Sequence, residues 1–321
     1  MHIQRLFIHP VKSLHPAEVT SVRVTNAGIE HDRSFALIKY TENTPEDVST
    51  HLTIKTTSQL CLFRQALDAN LSTLIITFTR HGKSIETINI PLNPSAEDLG
   101  PTTFAIDIFG SRAIGFDMGP EIASFFSRHL EQPARLIYIG TNGCRAIPAP
   151  SLIPQRSSRF PWLFKDEAHE QQIRFADAAP LLITTTASEE DARARLPEGH
   201  HKEDIILRFR PNVHIDVSDQ PGFQPYEEDT WKKVNISSKA DAKEVDLDIV
   251  FRTVRCQSLN VDFETGGLVP NERQLYKLLA KDRRVNPAFP MKPCFGVYAF
   301  AAPSGTVLSV GDKIEVIALQ S

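Results

Sequence analysis

Only four of the 321 residues are cysteines (Cys61, Cys144, Cys256 and Cys294), and no two form a C-x-x-C pair. That excludes the common zinc-finger spacings and a disulfide framework, and it suits a compartment where thiols stay reduced. A basic excess is missing too: 35 Lys and Arg stand against 39 Asp and Glu, a net charge of −4. Bulk nucleic-acid binding needs a positive field and is not expected, so any anion must be held by a local cluster of cations. No stretch approaches the roughly 20 apolar residues of a membrane span. The opening MHIQRLFIHPVKSLH has neither the apolar core nor the cleavage site of a signal peptide, so no transmembrane segment and a cytoplasmic location are expected. G-x-G-x-x-G after a strand, the P-loop, G-x-S-x-G and H-E-x-x-H are all absent, as are internal repeats and low-complexity tracts.

What is present is mostly strand. HIQRLFIHP, EVTSVRVTN, RSFALIKY and STLIITFTR are short, rich in Ile, Val, Leu, Phe and Thr, and broken by Pro, Asn or charge. That is the pattern of a barrel or a curled antiparallel sheet. GPEIASFFSRHL spaces Ile122, Phe125, Phe126 and Leu130 as one face of a helix. A proline- and arginine-rich stretch over 143–165 reads as a boundary or a long loop. TASEEDARARL reads as a helix start with Ser188 as N-cap. Beyond it the strand pattern returns in DIILRFRPNVHIDV, DLDIVFRTVRC, CFGVYAFAA and GDKIEVIAL, with one helix around NERQLYKLLAKDRR. The expected class is α+β and β-rich. The expected units are 1–135, a connecting region over 136–180, and 181–321.

Several cations stand where an anion could be held. HPVKS offers Lys12 as a point charge and Ser13 as a hydroxyl after a rigid proline, or a solvated turn. Arg33 sits beside Asp32, as a surface salt bridge or a ligand contact. In RFRPN, read as strand, Arg208 and Arg210 share a face on which they repel unless an anion or a carboxylate lies between them. Cys256 follows Arg255, a cation that favours thiolate, the form that attacks electrophiles and binds metals. Free cysteine is just as often a small core residue. Cys294, inside CFGVYAF, reads as core, and Cys144 stays ambiguous.

Taken in order, IHPVKS, GIEHDRSFALI, FADAAPLLITTTAS, FRPNVHIDV, EEDTWKKVNI, RCQSLNVDFETG and CFGVYAF…GTVLSVGDKIEV resemble the MOSC family. The resemblance is to its two-part members with an N-terminal MOSC β-barrel domain, the amidoxime-reducing ones among them. It implies an N-terminal MOSC β-barrel-like domain followed by a MOSC β-barrel domain, and a molybdenum cofactor (Mo-molybdopterin) held between them. It makes Cys256 the one protein ligand of molybdenum. Lys12, Ser13, Arg33, Arg210, Asn212 and Arg255 become cofactor contacts, with Ala178 and Ala179 through backbone alone, because hydroxyl residues common there are missing. Phe263 in place of a usual proline and Lys55 in place of a common arginine are further departures.

The resemblance further implies a two-electron reductase of small N-oxygenated, N-hydroxylated compounds, with Asp177 as the group that delivers a proton. Neither a fused iron–sulfur domain nor a membrane anchor is expected in this sequence. Electrons would therefore come from an external donor, a cytochrome b5 with its reductase or a flavoprotein. The alternatives are a sulfur carrier or cofactor-maturation protein, like the C-terminal domain of molybdenum-cofactor sulfurases, and a cofactor-binding module without turnover.

Overall fold

The computed structural model describes residues 1–40, 49–140, 143–148, 170–200, 203–302 and 305–320. Most of the proline- and arginine-rich stretch lies outside them. In chain order the strands are β1 (His2–Ile8), β2 (Ala17–Val19), β3 (Ser21–Thr25), β4 (Gly28–Ile29), β5 (Phe35–Lys39), β6 (Phe63–Leu67) and β7 (Thr73–Arg80). Next come β8 (Lys83–Pro91), β9 (Thr103–Ile108), β10 (Ser111–Asp117), β11 (Ala134–Tyr138), β12 (Arg145–Pro148), β13 (Glu170–Ile173) and β14 (Leu181–Thr185). The last are β15 (Val213–Asp216), β16 (Trp231–Ser237), β17 (Glu244–Val254), β18 (Cys294–Ala301), β19 (Val307–Ser309) and β20 (Lys313–Leu319). The helices are α1 (Pro120–Leu130), α2 (Thr186–Ala194), α3 (Ile206–Phe209) and α4 (Leu275–Leu279). The β-rich α+β class expected from the sequence is what the chain forms.

Seven strands close into a barrel in the order β15-β14-β18-β17-β16-β20-β1, with β1 pairing back onto β15. An odd number of strands cannot close with every pair antiparallel. The one parallel pair is β14–β15, linked through α2 and α3, the crossover that parallel strands require. Alternate residues point inward: Val245, Leu247 and Ile249 of β17 meet Val234, Ile236, Val297, Ala299 and Ile314 in one apolar cluster. The first strand thus belongs to the sheet built by residues 181–319, and it carries the segment that follows Ile8 into that barrel's wall.

In the rest of the first half β2 pairs with β1, β3 and β4 form a small sheet with β19, and two larger sheets follow, β5-β11-β10-β9 and β6-β7-β8. Phe35 and Leu37 of β5 enter one core with Phe63, Phe78, Phe125 and Phe126, while Ala36 and Ile38 enter another with Ile106, Ile137 and Phe175. The four-stranded sheet is therefore buried on both faces. α1 forms as its spacing predicts, with Pro120 at its first position and Phe125, Phe126 and Leu130 buried.

Three local expectations are overturned. Thr185, not Ser188, caps α2: its side chain accepts from the Ser188 N–H, and the Ser188 hydroxyl turns inward to Glu228 at 2.8 Å. The segment before β15 is the helical turn α3 rather than strand, so Arg208 and Arg210 do not share a sheet face. Isoleucine-rich IILRF looks like strand, but its apolar residues Ile206 and Phe209 bury at helical spacing. The last helix shrinks to the five residues of α4 behind a 3-10 turn at Asn271–Arg273.

Glu228 is fully buried. Burial, with Asp229 adding and the Ser188 hydroxyl opposing, pushes its carboxyl from the ordinary 4.5 up to about 7. A raised carboxyl keeps its proton longer in the fold. Its stabilisation is complete below 4.5 and is lost as pH rises through about 7. Glu228→Gln has no proton to lose, so its stability relative to the parent should rise by on the order of 2–3 kcal/mol between pH 5 and pH 8.5. Urea midpoints at the two pH values check this, and a constant difference between the two proteins would contradict it.

Candidate functional site

Cations from five separate segments converge. Lys12 lies four residues past the end of β1 and is 6 % exposed. Its Nζ donates to Phe175 O at 3.0 Å and forms a close ion pair with Asp177. Arg33 pairs with Asp32 and donates to Asn212 Oδ1 at 3.2 Å. The Asp32–Arg33 pair is buried, not a surface bridge. Arg210 donates to Leu14 O. Arg255 donates to Phe209 O at 2.7 Å with its guanidinium 5.5 Å over the Phe209 ring. Arg145 donates to Ile108 O and Arg174 O, both at 3.1 Å, to Asp177 O at 2.7 Å and to Ala176 O.

The balance of charge is unequal. Asp32 and Asp177 are the carboxylates that pair with this group, and Arg210, Arg255 and Arg145 have no carboxylate within ion-pair reach among the described residues. Burial, reinforced by Arg33 and Arg255, brings the Arg210 guanidinium down to about 9, and burial brings Arg145 to about 10. Burial also lowers Lys12, against the pull of Asp177. Burial alone would raise Asp177, but Lys12, Arg33 and His51 outweigh it and hold the carboxyl at about 2. Its side chain is 46 % exposed, so it is an ionised group open to solvent on one side.

Backbone geometry aims several of these groups. Ser13 (φ +70), Arg33 (φ +50) and Arg210 (φ +59) all adopt the left-handed conformation. Each costs a non-glycine residue roughly 1 kcal/mol, so surrounding contacts must impose it. Asn212, fully buried, ties three elements: its N–H donates to Leu182 O at 2.8 Å, its carbonyl accepts from Phe7 N at 2.9 Å, and its side-chain oxygen accepts from Arg33. Phe175 packs in the core of the four-stranded sheet and fixes the turn carrying Asp177. Gly28 (φ +95) lets that segment pass, because a Cβ there would lie 2.5 Å from Pro180 Cβ.

Cys256 follows the end of β17 and starts a 3-10 turn at Gln257–Asn260. Its thiol is exposed, with Sγ 3.0 Å from the Ser258 hydroxyl. The core reading of Cys256 is therefore excluded, whereas Cys294 is buried as expected and Cys144 is half-buried. Arg208 turns away from the group to Glu203 at 2.9 Å, which Arg273 also binds. Ser13 lies in the Lys12–Leu14 turn, Ala178 is half-buried, and Ala179 packs with Ile147, Ile173, Ala176 and Phe300. Phe263 is buried 5.6 Å from the His15 ring, and Lys55 is exposed.

Arg145, Tyr298 and His51 join the site without having been singled out as site residues. Arg145 carried only a hint, its place beside Cys144. Tyr298 lay inside an apolar strand pattern, yet burial, Asp177 and Cys256 push its phenol up to about 12 against Arg255 and Arg33. An open groove of about 740 Å³ lies elsewhere, lined by Ile8, Val19, Val22, Ala66, Leu67 and other residues. It contains none of these cations, so volume alone does not locate the chemistry.

The description MOSC N-terminal beta barrel domain matches residues 1–133, and MOSC domain matches residues 170–315. The chain is a two-part MOSC protein. It is 28% identical over 320 residues to mitochondrial amidoxime-reducing component 1 of Danio rerio, covering 97% of this chain and 83% of that one. The human protein of the same name is 26% identical, covering 98% and 82%. Human molybdenum cofactor sulfurase is 24% identical over 97% of this chain, which spans 32% of that longer protein. Relatives of this MOSC protein thus carry names for two different activities, amidoxime reduction in one group and sulfuration of molybdenum cofactor in the other.

The residues fit such a group. Excess cations suit a phosphate-bearing pterin, the buried Arg255 Nε has no partner among the described residues, and a free thiol stands at Cys256. Structural and ligand-facing cations should separate in cofactor-free protein. Arg145→Met strands four carbonyls and should lower stability by about 3 kcal/mol or more. Arg210→Met removes a charge repelled by its neighbours and should change stability by no more than about 1 kcal/mol. Urea unfolding of both checks the distinction, which equal losses would erase.

Proposed function

We propose that this protein holds a molybdenum cofactor between its barrel and the sheets of its first half and reduces N-hydroxylated compounds such as amidoximes. The observation that carries the reading is an exposed thiol, Cys256, next to a cluster of cations that outnumbers its carboxylates. When bound, the cofactor supplies the two-electron centre at which oxygen leaves nitrogen. Cys256 is the protein's ligand to the metal, with the Ser258 hydroxyl beside it. Lys12, Arg33, Arg210 and Arg255 hold the anionic groups, with Ser13 and Asn212 shaping the turns that carry them. Ala178 and Ala179 offer backbone only.

Removing oxygen as water takes two protons. Asp177, held ionised near a pKa of about 2, is a poor donor at neutral pH. The delivering unit is the Lys12–Asp177 pair: the ammonium holds the proton, and the exposed carboxylate passes replacements from solvent. Electrons come from a separate cytochrome b5-type protein or flavoprotein, and the proposed location is cytoplasmic. Among the described residues no helix is long and apolar enough to cross a membrane.

A second reading, sulfur carrier or cofactor-maturation protein, draws on the sulfurase relatives and on the same exposed thiol, which could carry a persulfide. Protein made in a host that synthesises the cofactor should contain about one molybdenum per chain, as expected for a single thiolate ligand. It should reduce benzamidoxime with a chemical one-electron donor, or with cytochrome b5 and its reductase, and show no turnover with NADH alone. Cys256→Ser should abolish reduction. Molybdenum-loaded protein inert toward benzamidoxime would favour the carrier, and full activity of the serine variant would sink the ligand assignment.

A further inference from the structure

His9 is fully buried at the end of β1 and touches both turns that present Arg33 and Arg210. Its backbone N–H donates to Asp32 Oδ1 at 2.7 Å, and its carbonyl accepts from Arg33 N at 2.8 Å. Its ring Nε2 lies 3.0 Å from Pro211 O. A carbonyl only accepts, so Nε2 carries the proton. Nδ1 is then a bare acceptor, buried and without a partner among the described residues. Burial with Arg210 and Arg33 close by depresses the imidazole well below its usual range, which keeps it neutral.

Other bonds hold most of the turn 209–212: the Arg210 N–H donates to Ile206 O at 3.2 Å and its guanidinium to Leu14 O. Proline supplies no N–H at 211, and Arg210 sits in the left-handed region, disfavoured for its side chain. Phe209 O is taken by Arg255, and Asn212 by Phe7 and Leu182. Pro211 O is taken by His9 alone among the described residues. Loss of that bond leaves the buried Pro211 carbonyl without its partner, although the N–H of the same peptide group stays on Leu182 O.

We propose that His9 is a positioning residue for the anion site, its ring acting through Pro211 O to hold Arg210 in the orientation that binds an anion, while its main chain ties Arg33 N and Asp32 whatever the side chain. The inference rests on the proposed cofactor reading for the identity of the natural anion, but not for the geometry. Glutamine places an amide N–H where His Nε2 stands, so His9→Gln keeps the donor. Phenylalanine and leucine fill space without one.

The test uses cofactor-free full-length protein and inorganic pyrophosphate as probe, by calorimetry. His9→Phe and His9→Leu should weaken pyrophosphate binding on the order of tenfold, and His9→Gln should stay within about threefold of the parent. Pterin content after production in a cofactor-synthesising host should follow the same order. Unchanged affinity in the apolar variants overturns the proposal. So does an equal loss in all three variants that tracks their urea midpoints, which would mean the ring only fills space, and so does a parent that binds no pyrophosphate. A parent that takes up no pterin yet binds pyrophosphate overturns the cofactor reading instead, and the affinities of the variants still decide the role of His9.

Discussion

Five like charges have been brought together inside a protein whose net charge is −4. At an effective dielectric near 20, two unit charges about 6 Å apart repel by roughly 3 kcal/mol, so the cluster opposes its own formation. The two carboxylates Asp32 and Asp177 offset part of this, and backbone carbonyls offset more. Arg145 alone takes four of them, Lys12 takes Phe175 O, Arg210 takes Leu14 O and Arg255 takes Phe209 O. Carbonyl oxygens lower the cost of burying a cation without cancelling its charge. The site therefore keeps a positive field while every side chain in it is held, which an anion-binding cleft requires and a carboxylate-paired network would destroy.

Closing the barrel with β1 is what makes the cluster possible. The same strand that pairs with β15 delivers Lys12 and His9, while the turn before β15 delivers Arg210 and Asn212. Arg33 leads into β5, whose sheet packs around Phe175, and Phe175 leads to Asp177. Each charged group is thus anchored by a neighbour already fixed in a core. The left-handed residues fit the same logic. Their strain is tolerable because strand pairing on one side and side-chain hydrogen bonds on the other leave the turn no alternative.

Legibility followed from whether a residue's role was local. The α1 stripe, the alternation in the barrel strands and the Cys294 core position depend on neighbours in sequence, and all were readable. Lys12, Arg33, Arg210, Asn212 and Arg255, which the ordered set of short motifs singles out, lie together in the fold although they are far apart in sequence. Arg208 misled: an Arg-Phe-Arg triplet has strand alternation, and the ion pair with Glu203, five residues back, forms only because the segment is helical. Arg145 and Tyr298 could not be found from spacing. The partners of Arg145 lie from 29 to 37 residues away, and Tyr298 hides in a strand whose apolar pattern gives no sign of charged neighbours.

A thiol and a cationic cleft do not by themselves choose between removing oxygen and carrying sulfur, and relatives of both kinds match nearly the whole chain. The choice turns on what reaches Sγ. Here the guanidinium of Arg255 points to the Phe209 carbonyl and ring, not to the neighbouring thiol, and the polar atom hydrogen-bonded to Sγ is the Ser258 hydroxyl. A carrier that only passed sulfur from one protein to another would gain nothing from a fixed group of buried cations behind the thiol, whereas one that sulfurated an anionic cofactor would need them as much as a reductase does. A metal ligand gains directly: the cations fix the rest of the bound group, and one thiolate then suffices to set its position. The cost of assembling that group is offset when an anion sits there, so the cations bear on whether an anionic group is held and the fate of Sγ decides which of the two activities follows.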